Sequence, residues 1–274
     1  MRKLNNIPQD NLGYAVLLSL NHGESFGSGF RLKYQNSNYL VTARHVLYND
    51  DFKLRSDFLT VTCQSARAFD LDPLIMEIEL DKAKVHYSAS NDVAILLIGT
   101  NQLESKAKVP LKNDKAVHKR VAFLQLEKYV NITSTGNKFV TSVDSEATRK
   151  LDEIRVGNDI FLLGYPMSLR LKEERFFDYS KPLLRKGITA ATYPKENTFT
   201  VDCPAYFGNS GGPVIEHGED DYYRVIGIVS RYIPYIVEWV NPREHIVNKE
   251  YTNSGYSICV PMDAVYALID KHKP

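Results

Sequence analysis

Short runs rich in Val, Ile, Leu, Tyr and Phe, punctuated by Asn, Asp, Gly and Ser, recur along almost the whole chain, and they favour an all-β architecture. In the first half they are Tyr14–Leu20, Phe26–Tyr34, Tyr39–Thr42, Leu59–Gln64, Ile75–Leu80 and Val93–Ile98. Strand character returns at Val121–Leu126, Phe139–Val143, Asp159–Tyr165, Gly187–Thr192, Thr198–Cys203, Pro213–Glu216, Tyr223–Tyr232 and Ser257–Pro261. Many short strands with turn residues between them suggest a closed or nearly closed antiparallel barrel. Between the two groups periodicity fades over Thr100–Lys119 while Lys106, Lys108, Lys112, Lys115 and Lys119 accumulate, which reads as a solvated connector or a binding patch. The expected organisation is one domain made of a first half over residues 1–105, a second over 120–261 and a terminal helix over 262–274. In that helix Met262, Val265, Leu268 and Ile269 share one face, with Lys271, His272 and Lys273 where the helix dipole favours cations. Lys150–Val156 reads as a helical turn or a loop.

The chain has 274 residues, 43% of them hydrophobic, enough to bury a sizeable core. Its 34 basic and 33 acidic residues nearly cancel, which argues against a general electrostatic grip on nucleic acid. No apolar run is long enough to span a bilayer. Tyr14–Leu20 is short and lacks a small-residue cleavage site behind it, so it reads as a strand and not a signal peptide. The 3 cysteines, Cys63, Cys203 and Cys259, do not make a disulfide framework. Together these point to the cytoplasm, where the glycosylation triplet Asn131-Ile132-Thr133 is idle. Gly27-Ser28-Gly29 has no third glycine and no helical pattern after it, so it is a strand bend or close backbone contact and not a nucleotide loop. No cofactor and no metal is implied.

One stretch suggests chemistry: Phe207-Gly208-Asn209-Ser210-Gly211-Gly212-Pro213-Val214. A serine hydroxyl is a poor nucleophile until a base takes its proton, but glycines on either side let consecutive N–H groups converge on a nascent oxyanion. Gly-Gly-Pro is also common turn punctuation, so the reading needs a base and an acid elsewhere. The histidines are His22, His45, His86, His118, His217, His245 and His272, and most lie in loop-like surroundings or the terminal helix. His45 differs, because it closes the apolar run Tyr39–Val46 at a point where a strand would run out into a cleft and hold the ring firmly. Asp92 stands at the mouth of the most hydrophobic strand of the first half, whereas Asp50, Asp51 and Glu219-Asp220-Asp221 have no such neighbours. The chain order His45, Asp92, Ser210 on strands is that of chymotrypsin, and differs from that of α/β-hydrolases and of subtilisins.

The local sequences sharpen this into a resemblance. Thr42-Ala43-Arg44-His45 resembles the Thr-Ala-x-His signature of chymotrypsin-fold peptidases, and Asn91-Asp92-Val93-Ala94-Ile95-Leu96 resembles their Asp-(Ile/Val)-Ala-Leu-Leu strand. Gly208-Asn209-Ser210-Gly211-Gly212-Pro213 has the Asn form of the serine motif found in the HtrA-like branch, and Gly157–Pro166 resembles that branch's Gly-Asp-x-Val-x-x-x-Gly-x-Pro strand. Gly227-Ile228-Val229-Ser230 is similar to the strand that walls the substrate pocket. The resemblance implies two six-stranded antiparallel barrels packed together, a C-terminal helix, and a serine endopeptidase acting on a protein or peptide. Asn209 replaces the aspartate that pairs with a newly cut N-terminus in digestive enzymes, and no Ile-Val-Gly-Gly start occurs, so zymogen cleavage of that kind is not expected. No PDZ domain is expected either, which fits an enzyme serving one dedicated protein partner.

By the same resemblance Ser210 attacks, His45 carries the proton, and Asp92 fixes the imidazole tautomer. The backbone N–H groups of Gly208 and Ser210 form the oxyanion hole, and Ser230 supports Asp92 by a hydrogen bond. The pocket base, six residues before the serine, is Pro204, which carries no charge, and Tyr232 and Tyr256 narrow the slot. A small or medium apolar residue before the cut is therefore expected. Arg231–Asn253, with Tyr232, Ile233, Tyr235, Ile236 and Trp239, is either an aromatic loop used for binding or self-association, or a loop folded onto the barrel. Leu169–Phe177 is a mobile cleft loop or plain surface. Two rival readings are a catalytically silent trypsin-like fold acting as a protein-binding module, and a relative acting on small esters.

Overall fold

The apolar runs become strands whose burial alternates wherever one face meets water. Phe58–Cys63, for example, buries Leu59, Val61 and Cys63 and turns the residues between them outward. The computed structural model describes residues 9–64, 72–103, 107–109, 117–119, 122–134, 142–167, 178, 181–218, 222–241, 243 and 246–273. In chain order the first part has strands β1 (Ala15–Leu20), β2 (Ser25–Tyr34), β3 (Ser37–Thr42), a single helical turn α1 (Arg44–Leu47), β4 (Phe58–Cys63), β5 (Leu74–Glu79), β6 (Val85–Tyr87) and β7 (Ala94–Leu103). There follow β8 (Ala107–Val109), β9 (Val117–Lys119), β10 (Ala122–Leu126), β11 (Val130–Ile132) and β12 (Val143–Asp144). The second part has β13 (Asp159–Gly164), β14 (Leu183–Tyr193), β15 (Thr198–Asp202), β16 (Pro213–His217), β17 (Tyr223–Asn241), β18 (Ile246–Pro261) and the helix α2 (Met262–Lys271).

Two curled sheets result, as expected of an all-β chain with a C-terminal helix. The second is a closed barrel of 6 strands in the order β13-β14-β15-β18-β17-β16. The first holds 10 strands, along the path β10-β7-β3-β2-β1-β4-β5-β11 with β6 on β7 and β12 running parallel to β2. Its strand count exceeds the expected six because β6, β10, β11 and β12 join it, and with the last three in the first sheet the second sheet starts at Asp159 and not near residue 120. Short-range pattern cannot reveal this, since which sheet a strand joins is decided by partners far along the chain. The stretch read as a connector supplies the end of β7 and the small hairpin β8–β9, while Lys106, Lys112 and Lys115 lie outside the described residues. Of Phe139–Val143 only the last residues are described, as Ser142 and the start of β12.

Alternation on β13 ties the sheets together. Ile160 and Leu162 point into the barrel core with Phe199, Val201 and Val214, while Phe161 and Leu163 join the core of the first sheet. That larger core also takes Met262, Val265, Leu268 and Ile269 of α2, the face read from the sequence. Each fully buried Leu, Ile or Val contributes about 1.5–3 kcal/mol. Two charged groups among the described residues are buried as well, Arg31 and Glu216. Glu216 is 0% exposed, and its carboxylate accepts hydrogen bonds from Arg149 Nη1 at 2.5 Å and the Arg155 backbone N–H at 3.1 Å.

Two registers position the chemistry. Pairing of β3 with β7 sets Thr42 opposite Ala94, so the residues just after β3 and just before β7 become neighbours. Pairing of β16 with β17 sets Pro213 opposite Ile228, which brings the preceding Ser210–Gly212 turn against Val229 and Ser230.

Candidate active site

After β3 the chain leaves the sheet in an extended Ala43 and winds into α1, closed by a hydrogen bond from the Tyr48 N–H to the Arg44 carbonyl at 2.9 Å. His45 therefore sits in a helical turn and not on the strand end. The other partner segment, before β7, is a tight turn in which the Ser88 N–H donates to the Val93 carbonyl at 3.0 Å and the Asn91 N–H to Ser88 Oγ at 3.1 Å. It holds Asp92 facing α1. The Asp92 carboxylate accepts His45 Nδ1–H at 2.7 Å on Oδ2 and the His45 backbone N–H at 3.1 Å on Oδ1. Ser230 Oγ donates to the same Oδ2 at 2.6 Å. Burial pushes this carboxyl group upward, but the hydrogen bonds and charge of His45 and the Ser230 hydroxyl outweigh it and hold the group down at about 2. The carboxylate thus stays charged and orients the imidazole through Nδ1.

Ser210 lies across the groove on the second sheet. Its Oγ donates to the Ser230 carbonyl oxygen at 3.1 Å and not to the His45 imidazole. Ser230 thus touches both sides, with its hydroxyl on Asp92 and its carbonyl on Ser210. Upstream, Tyr206–Asn209 forms a turn closed by the Asn209 N–H on the Tyr206 carbonyl at 2.9 Å, with Gly208 at φ +96°. A positive φ at the third position marks a type II turn and favours glycine. A methyl group there would also collide with the Tyr165 carbonyl oxygen. Among the described residues the N–H groups of Gly208 and Ser210 have no hydrogen-bond partner, so two donors stand free beside the hydroxyl. The buried Asn209 side chain stiffens the turn by accepting the Tyr206 N–H at 2.9 Å.

One residue that sequence reasoning passed over holds the turn from behind. Ser28, fully buried on β2, donates through Oγ to the Gly208 carbonyl at 2.6 Å and accepts the Tyr165 N–H at 2.9 Å. Its own N–H donates to the Ser210 carbonyl at 2.8 Å. The close backbone approach read from Gly27-Ser28-Gly29 is real, and the only local signal for Ser28 was its place between those glycines.

The groove between the sheets is lined by His45 and Ser210 together with Phe26, Val46, Tyr206, Phe207 and Tyr232. Phe207 is 70% exposed and meets Tyr232 edge to face at 5.9 Å. Of the three expected pocket residues Tyr232 lies on this lining, whereas Pro204 and Tyr256 do not. Side chains alternate along β18, so Ser257 faces inward and Tyr256 outward. Ser257 Oγ accepts the Ala205 N–H at 3.0 Å and donates to the Cys203 carbonyl at 2.7 Å, and Ala205 and Tyr206 take the lining in place of Pro204. Arg231–Asn253 is not a loop but the outer part of the β17–β18 hairpin. Its Tyr235, Ile236, Trp239, Val240 and Tyr251 are exposed, so it is not folded onto the barrel. Leu169–Phe177 and His245 fall outside the described residues. His86 stacks on His272 at 3.9 Å and His217 on Tyr223 at 4.6 Å, away from Ser210. No group of described His, Cys, Asp or Glu side chains could hold a metal ion, and no described helix is long and apolar enough to cross a membrane.

The sequence profile of the trypsin-like peptidase domain matches residues 27–228, most of the chain and all of His45, Asp92 and Ser210. The chain belongs to the trypsin-like peptidase family. Solved structures similar to this trypsin-like peptidase include the serine endoprotease from Yersinia pestis, 15% identical, covering 99% of this chain and 67% of that one with a TM-score of 0.54. Deg5 is 18% identical, covering 94% and 88%, with a TM-score of 0.51. A variant of the HtrA-type protease AlgW, solved with a tripeptide, is 14% identical, covering 96% and 62%, with a TM-score of 0.50. At such identities the likeness is one of fold: the chymotrypsin-like fold of HtrA-type serine proteases. Curated protein sequences give no match.

Proposed function

We propose that this trypsin-like peptidase is an active serine endopeptidase, with Ser210 as nucleophile, His45 as general base and acid, and Asp92 as the group that orients and stabilises the imidazolium. The observation that carries the reading is the convergence, in one groove, of a carboxylate-held imidazole, a serine hydroxyl and two free backbone N–H groups. In the reaction Ser210 Oγ leaves the Ser230 carbonyl, turns to His45 Nε2, gives up its proton and bonds to the scissile carbonyl carbon. The carbonyl oxygen takes up negative charge against the N–H groups of Gly208 and Ser210, and the imidazolium then protonates the leaving amine. Water repeats the sequence on the acyl-enzyme. Peptide binding places the reacting carbonyl where the N–H groups already point, so little reorganisation is needed at that step.

The apolar lining of Val46, Met167, Val229 and the aromatic residues suits a small or medium apolar residue before the cut. A catalytically silent, protein-binding form of the fold competes, and one observation favours it: the resting hydroxyl is bonded to Ser230 and not to His45. A panel of chromogenic peptides separates the two. Hydrolysis after apolar residues, lost in Ser210→Ala and His45→Ala, is expected. No turnover of any peptide by the parent protein would leave the silent form, and cleavage chiefly after Lys or Arg would overturn the pocket assignment.

A further inference from the structure

The residue between Ala43 and His45 is an arginine whose side chain turns away from the reacting groups and grips the segment that carries their carboxylate. Arg44 Nη1 donates to the Ser88 carbonyl at 3.1 Å and to the Ala89 carbonyl at 3.2 Å. Those carbonyls belong to the tight turn that ends in Asp92. The guanidinium also lies over the Phe52 ring, 4.8 Å from its centroid. Phe52 holds a left-handed φ of +60°, uncommon for a bulky residue, in a turn that Asn49 closes by accepting the Phe52 N–H at 3.1 Å and the Lys53 N–H at 2.9 Å on its side chain. Its ring stacks on Tyr87 of β6 at 5.6 Å, and Tyr87 packs on Tyr48 at 4.6 Å.

From this we infer that Arg44 is a positioning residue, a clamp that sets the distance between the His45 turn and the Asp92 turn. Resting on the triad assignment above, the inference gives Arg44 no contact with substrate. The register of β3 and β7 stops at Thr42 and Ala94, so beyond it no strand pairing fixes the two turns to each other. Among the described residues what spans them is the Asp92–His45 contact itself, the ring contact of Tyr48 with Tyr87, and the Arg44 clamp, which alone reaches the backbone of the Asp92 turn from beside His45. An imidazole–carboxylate pair works only within a few tenths of an ångström of its best geometry, so a clamp one residue from the base has leverage that surface arginines lack. One guanidinium nitrogen donates to both carbonyls while the flat face of the group takes the Phe52 ring, and a lysine ammonium has no such face to lay on the ring.

The test uses the full chain with Arg44→Met, which keeps most of the side-chain bulk, and Arg44→Lys, which keeps the charge. With a short peptide substrate, Arg44→Met is expected to lower kcat about ten- to a hundred-fold with KM nearly unchanged. Arg44→Lys should recover only part of the loss. The far-downfield proton resonance of the His45 Nδ1–H to Asp92 bond, present in the parent, should broaden or disappear in Arg44→Met while the thermal midpoint still shows a folded protein. If Arg44→Met does not fold, Arg44→Lys and Phe52→Leu carry the same comparison. An unchanged resonance, an unchanged kcat, or a change confined to KM overturns the clamp. The resonance is read on resting protein, so a parent that fails to hydrolyse peptides would sink the proposed function and leave this comparison decisive.

Discussion

Replacing Ser28 by alanine removes one oxygen and strands two buried backbone groups. Its hydroxyl is the partner of both the Gly208 carbonyl and the Tyr165 N–H, at 2.6 and 2.9 Å, and all three residues are away from water behind the serine turn. A buried polar group left without a partner costs about 1–3 kcal/mol, so Ser28→Ala is expected to destabilise the fold by about 2–5 kcal/mol. For a chain of this size that lowers the thermal midpoint by about 5–15 °C. The same change frees the Gly208 carbonyl, and with it the peptide plane whose neighbouring N–H faces the proposed oxyanion site, so kcat should fall by about tenfold or more. Thr42→Val is the control: it deletes only the hydroxyl that donates to the Ser28 carbonyl at 2.7 Å and should cost about 1 kcal/mol with kcat nearly intact. Urea titrations followed by far-UV circular dichroism suit the measurement, because Trp239 is 63% exposed on the outer hairpin and reports poorly on the core. A Ser28→Ala midpoint within about 1 kcal/mol of the parent, together with unchanged kcat, would refute the reasoning.

Three further outcomes are expected. Gly208→Ala cannot keep its positive φ without strain or a collision with the Tyr165 carbonyl, so the turn should flip and withdraw a donor; pre-steady-state kinetics should show acylation slowed by about 10²–10³. The Asp92 carboxyl is held down at about 2 from an ordinary 3.8, so its pairing stabilises the fold fully above about pH 4, and about 2 kcal/mol is lost as pH falls through 2. Urea midpoints of the parent and Asp92→Asn should therefore converge on acidification; a gap that widens would contradict the sign. Arg149→Met takes the charged partner from a carboxylate that is 0% exposed and should destabilise the fold by about 3–5 kcal/mol, with partial recovery in the double variant carrying Glu216→Gln. Additive single effects in that double-mutant cycle would show that the pair does not act as a unit.

The parts of this molecule written in local sequence were legible, and the parts decided by distant partners were not. Thr42–His45, Asn91–Leu96 and Gly208–Pro213 carry their residue types within a few positions, so His45, Asp92 and Ser210 could be named before any fold was seen. The strands were legible because alternation and turn residues are local, and so was the apolar face of α2. Which sheet β10, β11 and β12 join could not be read, since β11 pairs with β5 far upstream. Ser28 meets Gly208 across 180 positions of chain, and although the flanking glycines announce a close approach, nothing local names the partner. Which residues near Pro204 and Tyr256 reach the groove could not be read, because the lining at Ala205 and Tyr206 and the inward turn of Ser257 depend on the phase of β18 and on the path of the chain before the serine turn. The outer hairpin looked like a loop because Pro234, Glu238, Asn248 and Lys249 interrupt its apolar run. In the fold Glu238 and Lys249 face each other across the strands as an ion pair at 2.7 Å.

The central claim is that the Ser210 hydroxyl becomes a nucleophile when His45 takes its proton. Labelling with a fluorophosphonate, followed by peptide mass mapping, reads this directly, since the reagent needs an activated serine and a working oxyanion site but no knowledge of the natural substrate. One adduct on Ser210 in the parent protein, absent in His45→Ala and in Ser210→Ala, is the predicted result. No adduct in the parent, or an adduct that persists at full rate in His45→Ala, would contradict the account.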